Sequence, residues 1–297
     1  IPESRSRRML RRLFAEVPLP EEGALLDVGC GNGELLRTFS EMVPRWSLVG
    51  TELDDRHRST VESIEGVSAL HTRSPDQIPG EFELITMVHV LEHVPEPRGF
   101  LHSLSSKLTQ DGVIVAQVPN YGQNPFDLLV ADHCTHFTLA TLEALMRGAG
   151  YEVLRVANDW IPKELTIVAR RSGSPTLDPV WPRNDDSSAH VTRSLDWLNS
   201  VMSSARHVAK NGRFGLFGTA SPATWLSSEL QDLVAFFVDE DPNRSGGTHE
   251  GHPIYRPDRA PSGSRVFMVL PHALAESIRR RLSIRGVEFL LPPQFPA

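Results

Sequence analysis

Three glycines at alternate positions, Gly29, Gly31 and Gly33, stand between an apolar run and a helical pattern. Glycine lets a chain turn tightly and lets a ligand approach the backbone without meeting a Cβ. Amide groups at the start of the helix after such a turn favour a polar or carboxylate-bearing ligand. A glycine repeat alone is weak evidence. Here a second apolar run, Ser47–Gly50, follows and leads to Glu52, at the roughly 20-residue spacing of a ribose-binding acid. A carboxylate so placed can accept hydrogen bonds from both hydroxyls of a ribose.

The other residues with chemistry to offer are histidines. His89 and His93 follow an apolar run at Phe82–Val88, and His133 and His136 lie in Ala131-Asp132-His133-Cys134-Thr135-His136-Phe137-Thr138. Imidazole suits proton transfer because its unperturbed pKa lies near neutrality. His133, oriented by Asp132, is the candidate base, and His136 the second candidate. The plain alternative for both is a structural pair of histidines. For His93 it is helix capping or packing. Asp132, His133, Cys134 and His136 are too close together to ligate one metal without strain, and no distant partner is evident, so no metal site is expected. Cys30 and Cys134 match no zinc or redox spacing.

The elements that must hold these residues follow from periodicity. Ala24–Val28 reads as a buried strand, Gly33–Met42 as a helix, Ser47–Gly50 as a strand and Arg56–Ile64 as a helix. Strands at Val67–Leu70 and Phe82–Val88, a helix at Gly99–Leu108 and a strand at Val113–Val118 follow. Strands apolar on both faces and separated by helices imply a parallel sheet covered on both sides. After Thr138 comes a helix carrying Leu142, Leu145 and Met146, then strands at Tyr151–Ala157 and Leu165–Ala169, whose short connection predicts an antiparallel hairpin. Residues 171–190, rich in Pro, Ser and Asp, read as a linker. Beyond it lies a helix at Val191–Lys210 and a second α/β alternation. This comprises strands at Phe214–Phe217, Leu233–Val238 and Val266–Leu270, with helices at Ala223–Leu230 and Ala273–Leu282.

The chain has 297 residues, which favours two domains. The boundaries read as an N-terminal helix (1–19), a first domain (20–170), the linker and a second domain (191–297). A formal net charge of -7 argues against a general nucleic-acid binder. The dense basic run Arg5–Arg12 has apolar residues between its charges, which suits an amphipathic helix with a solvated face. Phosphate or membrane contact is its alternative. No apolar run approaches the roughly 20 residues of a membrane span, and no signal-peptide pattern is present, so a reducing cytoplasm is the default expectation.

Residues 20–170 resemble the class I S-adenosylmethionine-dependent methyltransferases. Asp27, Gly29, Gly31 and Gly33 match that family's acid and glycine loop, and Glu52 its ribose-binding acid. Phe82-Glu83-Leu84-Ile85 followed by His89-Val90-Leu91-Glu92-His93-Val94 is similar to its fourth-strand signature, and Asp111-Gly112-Val113-Ile114-Val115 to its fifth strand. The resemblance implies an α/β, Rossmann-like domain with a mostly parallel seven-stranded sheet closed by an antiparallel hairpin. It also implies S-adenosylmethionine held by Asp27, Gly29, Cys30, Gly31, Gly33, Glu52, Leu53, Ser74 and His89. Ser74 occupies the place where family members often carry an acid near the adenine amino group, with Asp76 two residues later. A nicotinamide-binding Rossmann domain is the competing reading of the loop, and a catalytically dead relative is another.

The Asp132-His133 segment is similar to the acid–histidine segment of the acceptor site in bacterial sugar methyltransferases. The tyrosine often found shortly before it is absent, with Val130 nearby. The second half resembles the C-terminal Rossmann-like domain of sugar C-methyltransferases. The matching residues are the glycine turn at Gly215–Gly218, then Asp239, Pro242, Asn243, Arg244 and Gly246, and His252-Pro253-Ile254. In that family the domain helps hold a nucleotide-sugar; retention for packing or dimerisation is the alternative. Those enzymes begin with a cysteine-rich zinc module, whereas this sequence opens almost at the cofactor loop. The expected activity is therefore methyl transfer to a sugar or nucleotide-sugar hydroxyl, with carbon less favoured. An O- or N-methyltransferase of another small metabolite, with the second domain as a lid, is the second reading. A non-catalytic binding module with a vestigial cofactor site is the third. The expected partners are a small-molecule substrate and, for the assembly, a second copy in a homodimer.

Overall fold

Apolar runs with no face to give to water become central strands, and helices must then cover both sides of them. The computed structural model describes residues 3–172, 187–282 and 284–296. They fall into two compact units, one taking residues 3–123 and 131–172, the other 124–130 and those described from 187 onward.

In the first unit the elements run α1 (Arg5–Glu16), β1 (Ala24–Val28), α2 (Glu34–Met42), β2 (Ser47–Thr51), α3 (Arg58–Glu62), β3 (Val67–His71) and β4 (Phe82–Val88). They continue as α4 (Pro97–Leu104), β5 (Leu108–Pro119), α5 (Leu139–Gly148), β6 (Tyr151–Ala157) and β7 (Glu164–Arg171). The seven strands form one sheet in the order β3-β2-β1-β4-β5-β7-β6. All neighbours are parallel except β7, which is antiparallel to both β5 and β6. One side of the sheet is covered by a core containing Leu101, Leu104, Leu142, Leu145 and Met146 of α4 and α5. The other packs under Met9, Leu10 and Leu13 of α1, Leu36 and Phe39 of α2, and Val61 of α3. The basic face of α1 is paired within the same unit: Arg7 with Glu41, Arg11 with Glu3, and Arg12 with Glu16 and Asp159.

The second unit contains α6 (Ser187–Ala209), β8 (Phe214–Phe217), α7 (Ser221–Leu230), β9 (Phe236–Val238), β10 (Thr248–His249) and β11 (His252–Tyr255). It ends with β12 (Ser264–Met268), α8 (His272–Arg281) and β13 (Val287–Leu290). Its six strands run β10-β11-β9-β8-β12-β13, parallel except for the β10–β11 pair. Among the described residues no helix is long and apolar enough to cross a membrane.

The elements depart from the sequence reading where pairing overrides local pattern. The helix expected to reach Leu108 ends at Leu104, tightens into a 3-10 turn at Ser105–Lys107, and gives Leu108 to β5 opposite Phe82. The strand expected from Leu233 opens only at Phe236, because Gln231–Leu233 forms a 3-10 turn. β10 and β13 are not in the sequence reading: two residues carry no period, and β13 is recognisable by its pairing with β12. The expected linker at 171–190 lies mainly outside the described residues, and its last positions, from Ser187, open α6.

Two local interactions set the frame for the site. α5 is started by a reciprocal capping box: Thr141 N–H donates to Thr138 Oγ1 at 3.2 Å, and Thr138 N–H donates to Thr141 Oγ1 at 2.9 Å. On β1, Asp27 is 2% exposed and stands opposite Thr86 of β4, whose Oγ1 donates to Asp27 Oδ1 at 2.7 Å. Burial raises the Asp27 pKa from 3.8 to about 7, and the nearby Glu52 charge adds to the rise against the Thr86 bond.

Replacing Thr138 by Ala should cost about 1 kcal/mol of stability by urea denaturation, the usual value of such a cap. For Asp27 the sign follows from its raised pKa: the folded state holds the proton more tightly than the unfolded chain. Stability from this group is full below about pH 3.8 and is lost as pH rises through about 7. Asp27→Asn, which can still accept from Thr86, should flatten that slope and be more stable than the parent above pH 7. Equal pH profiles for the two proteins would refute the assignment.

Candidate functional site

β1 lies between β2 and β4, so successive connections leave it toward opposite sides of the sheet. Ligands in open α/β sheets gather at the carboxyl ends of the strands where this reversal occurs. A cavity of about 800 Å³ opens there. Its β2–β3 side carries Glu52, Leu53, Arg73 and Ser74, its floor Val28 and Gly29, and its β4 side His89, Val90, His93 and Phe100, with Asp132 and Cys134.

The loop after β1 holds its shape by backbone conformation and one carboxylate. Gly29, Gly31 and Gly33 have φ of 68°, 55° and 79°, a region costly for residues with a Cβ. At Gly29 a Cβ would also stand 2.5 Å from Val90 Cγ2. Glu52 Oε1 accepts from Gly31 N–H at 2.6 Å and its Oε2 from Leu53 N–H at 3.0 Å. Each carboxylate oxygen has a second lone pair, so the acid can clasp the loop and still receive a ligand hydroxyl. Leu53 beside it is 98% exposed and presents an apolar surface. Cys30 is buried, and burial, followed by the charges of Asp27 and Glu52, pushes its thiol up to about 12. It therefore stays a thiol and offers no nucleophile. Ser74 hydrogen-bonds Asp76, the acid two positions on.

On the β4 side His89 adopts φ 56°, unusual for a residue with a side chain. Its N–H donates to the Gln117 carbonyl at 2.9 Å, and its ring lies between two acids. Nε2 is 3.1 Å from Glu164 Oε1, and Nδ1 is 3.1 Å from Glu92 Oε1. Burial alone would lower its pKa, but the bond to Glu164 and the adjacent Glu92 carboxylate outweigh burial and hold it up to about 9. Arg5 of α1 pairs with the same Glu164 oxygen. Chain direction then reverses in a 3-10 turn, Leu91–His93, whose Glu92 carbonyl accepts from Cys134 N–H at 2.7 Å and Thr135 N–H at 3.2 Å. This anchors the 132–136 segment against the turn. His93 Nδ1 lies 3.2 Å from both the Asp132 carbonyl and Asp132 Oδ2. The His133 ring packs edge-on against His93, centroids 4.8 Å apart, and lies 6.2 Å from the His136 ring, which in turn is 6.0 Å from Tyr121.

Of the residues singled out from sequence, Gly29, Glu52, Leu53, Ser74, His89 and Asp132 line the cavity. Asp27, Cys30, Gly31, Gly33, His133 and His136 are not among the residues that line it. The acid–histidine pair forms with a different partner from the one read in the sequence: the Asp132 carboxylate is against His93 rather than His133. Sequence reasoning also passed over Phe100, Arg73 and Glu164. Glu164 reaches His89 only because β7 pairs with β5 in the register Pro119↔Glu164, a contact with no local signal.

Residues 3–156 match the family model described as a methyltransferase domain. Among curated proteins, trans-aconitate 2-methyltransferase of Variovorax paradoxus (strain S110) is 30% identical over 130 residues, covering 41% of this chain and 49% of that protein. The mitochondrial ubiquinone biosynthesis O-methyltransferase of Schizosaccharomyces pombe is 32% identical over 98 residues, covering 31% of this chain and 36% of that protein. The chain thus spans half or less of the length of these curated relatives. Among solved structures, an S-adenosylmethionine-dependent methyltransferase from Clostridium acetobutylicum ATCC 824 aligns over 57% of this chain and 91% of its own, with TM-score 0.46 and 12% identity. Magnesium protoporphyrin IX methyltransferase from Synechocystis PCC 6803, solved with bound SAH, aligns over 56% and 82%, with TM-score 0.45 and 15% identity. Since the matched residues make up just over half of the chain, it belongs to the methyltransferase domain family, whose cofactor is S-adenosylmethionine.

Proposed function

We propose that this protein transfers a methyl group to a hydroxyl of a sugar or nucleotide-sugar. The observation that carries the reading is the cavity itself, walled on one side by the Gly29 loop with Glu52 and on the other by His93 with Asp132. Its volume, about 800 Å³, suits a nucleoside-sized ligand with space for part of an acceptor.

The residues fit S-adenosylmethionine. Glu52 keeps lone pairs for ribose hydroxyls after clasping Gly31, and exposed Leu53 offers an apolar face to an adenine ring. Gly29 leaves its backbone open to close approach. Ser74 and Asp76, hydrogen-bonded to each other, are the polar groups for the adenine edge. When bound, the cofactor supplies an electrophilic methyl carbon on a sulfonium. The protein's part is then to orient the acceptor oxygen and ease the loss of its proton. His93, held at Nδ1 by Asp132, presents its other nitrogen for that work, with His133 and His136 behind it.

The second unit supports a sugar nucleotide as acceptor. It repeats the reversal of connections, since β8 lies between β9 and β12, and Gly218 follows β8 with φ 94°. Thr219, Asp239 and Arg244 form a polar cluster there, with Thr219 Oγ1 donating to Asp239 Oδ2 at 2.6 Å and Arg244 Nη1 donating to Thr219 Oγ1 at 2.6 Å. A second reading, O-methylation of another small metabolite, is favoured by the relatives named for trans-aconitate and for ubiquinone biosynthesis.

The test is a methyl-transfer assay with labelled S-adenosylmethionine against nucleotide-sugars, free sugars and small carboxylic or phenolic metabolites. Labelled nucleotide-sugar is the expected product; label in the small metabolites alone would select the second reading. Gly29→Ala should lose at least tenfold in S-adenosylhomocysteine affinity by calorimetry. It combines a positive φ, costing about 1–2 kcal/mol, with the Val90 clash. Unchanged affinity in a folded Gly29→Ala protein would remove the loop from the cofactor site.

A further inference from the structure

Glu92 is 1% exposed, and neither of its carboxylate oxygens accepts a hydrogen bond of acceptable geometry among the described residues. His89 Nδ1 balances its charge from 3.1 Å, facing Oε1. A buried carboxylate held by one off-axis ion pair is costly, and a second cationic partner would relieve it. The same acid lies beside two imidazoles: Glu92, His93 and His133 each offer a ligand atom, and these atoms all fall within 4.8 Å of one another.

We propose that Glu92, His93 and His133 bind one divalent transition-metal ion on the β4 side of the cavity. Two adjacent oxygens of the acceptor, such as vicinal sugar hydroxyls, complete its coordination shell. The second half of this statement rests on the proposed methyl transfer; the cation site does not.

Three features support the site. Two ligands at about 2.1 Å from one metal stand at most about 4.2 Å apart, so atoms already within 4.8 Å need small side-chain rotations to close on an ion. Ligating histidines are held through their other ring nitrogen by a carboxylate or carbonyl, and Asp132 does this to His93 Nδ1 with both kinds of oxygen. A ligating carboxylate is itself held from behind, and His89 occupies that place for Glu92. The Asp132–His136 segment shows no distant metal ligand in sequence; the bond from Cys134 N–H to the Glu92 carbonyl brings Glu92 and His93 to it, by docking the segment on the Leu91–His93 turn.

Two imidazoles and one carboxylate favour ions of the manganese-to-zinc series over magnesium or calcium, which take oxygen shells. Three protein ligands leave positions open for an acceptor, as in metal sites that bind substrate. His93 lines the cavity, so those positions face the side from which an acceptor enters.

Cobalt(II) is the probe, read by its visible absorption and by equilibrium dialysis of the metal-stripped full chain. The expected result is one cobalt per chain at micromolar affinity, with visible bands. Magnesium at tenfold excess should not compete, and both His93→Ala and His133→Ala should weaken binding at least tenfold while keeping the parent circular dichroism. Glu92→Gln should do the same; if it fails to fold, the two histidine variants decide. No cobalt bound at 100 µM, or binding that either folded histidine variant retains, overturns the site. Calorimetry with S-adenosylhomocysteine on the same stripped protein separates this outcome from the functional reading. Cofactor binding without cobalt binding removes the ion and leaves the methyltransferase. Cobalt binding without cofactor binding does the reverse.

Discussion

One imidazole between two buried carboxylates organises the β4 side of the site. Glu92 and Glu164 are 1% and 6% exposed, and two ionised acids so buried and so near each other would be strongly unfavourable alone. His89 lies 3.1 Å from each, and its pKa, held up to about 9, keeps it cationic at neutral pH. Its backbone bears the geometric cost, at φ 56° and fixed by the Gln117 carbonyl. Because His89 turns there, Glu92 points inward, its carbonyl meets the 132–136 segment, and His93 is left on the cavity wall. Arg5 joins the same cluster through Glu164, so α1 is tied to the site as well as to the core.

The legible part of the site was the part made by neighbours in sequence. A strand, three glycines and a helix fix the loop within a few residues, and Glu52 follows because β2 must end beside β1. The β4 side depends instead on pairings across many residues. The antiparallel hairpin is legible, but nothing near Glu164 announces the register with β5 that brings it to His89, and nothing near Asp132 announces that its carboxylate turns to His93. Element boundaries failed for the same reason. Leu108 suits the end of a helix by local pattern, yet Phe82 offers it a strand partner. Thr138 was the exception on that side, since a cap and its N3 partner lie three residues apart.

Both units place a glycine turn where strand connections reverse, and the chemistry of the acid that follows differs between them. In the first unit, among the described residues, Glu52 accepts hydrogen bonds from backbone N–H groups alone, which leave lone pairs for a ligand. In the second, Asp239 Oδ2 takes Thr219 and the Arg244 guanidinium, and Oδ1 takes Asp241 N–H. Burial opposes its ionisation, but these bonds win and hold its carboxyl below the ordinary value. A ribose pair would have to displace internal partners there. The half-exposed Arg244, by contrast, has further N–H donors to offer. The same supersecondary unit therefore ends on an acid held by backbone N–H groups in one half of the chain and largely by side chains in the other.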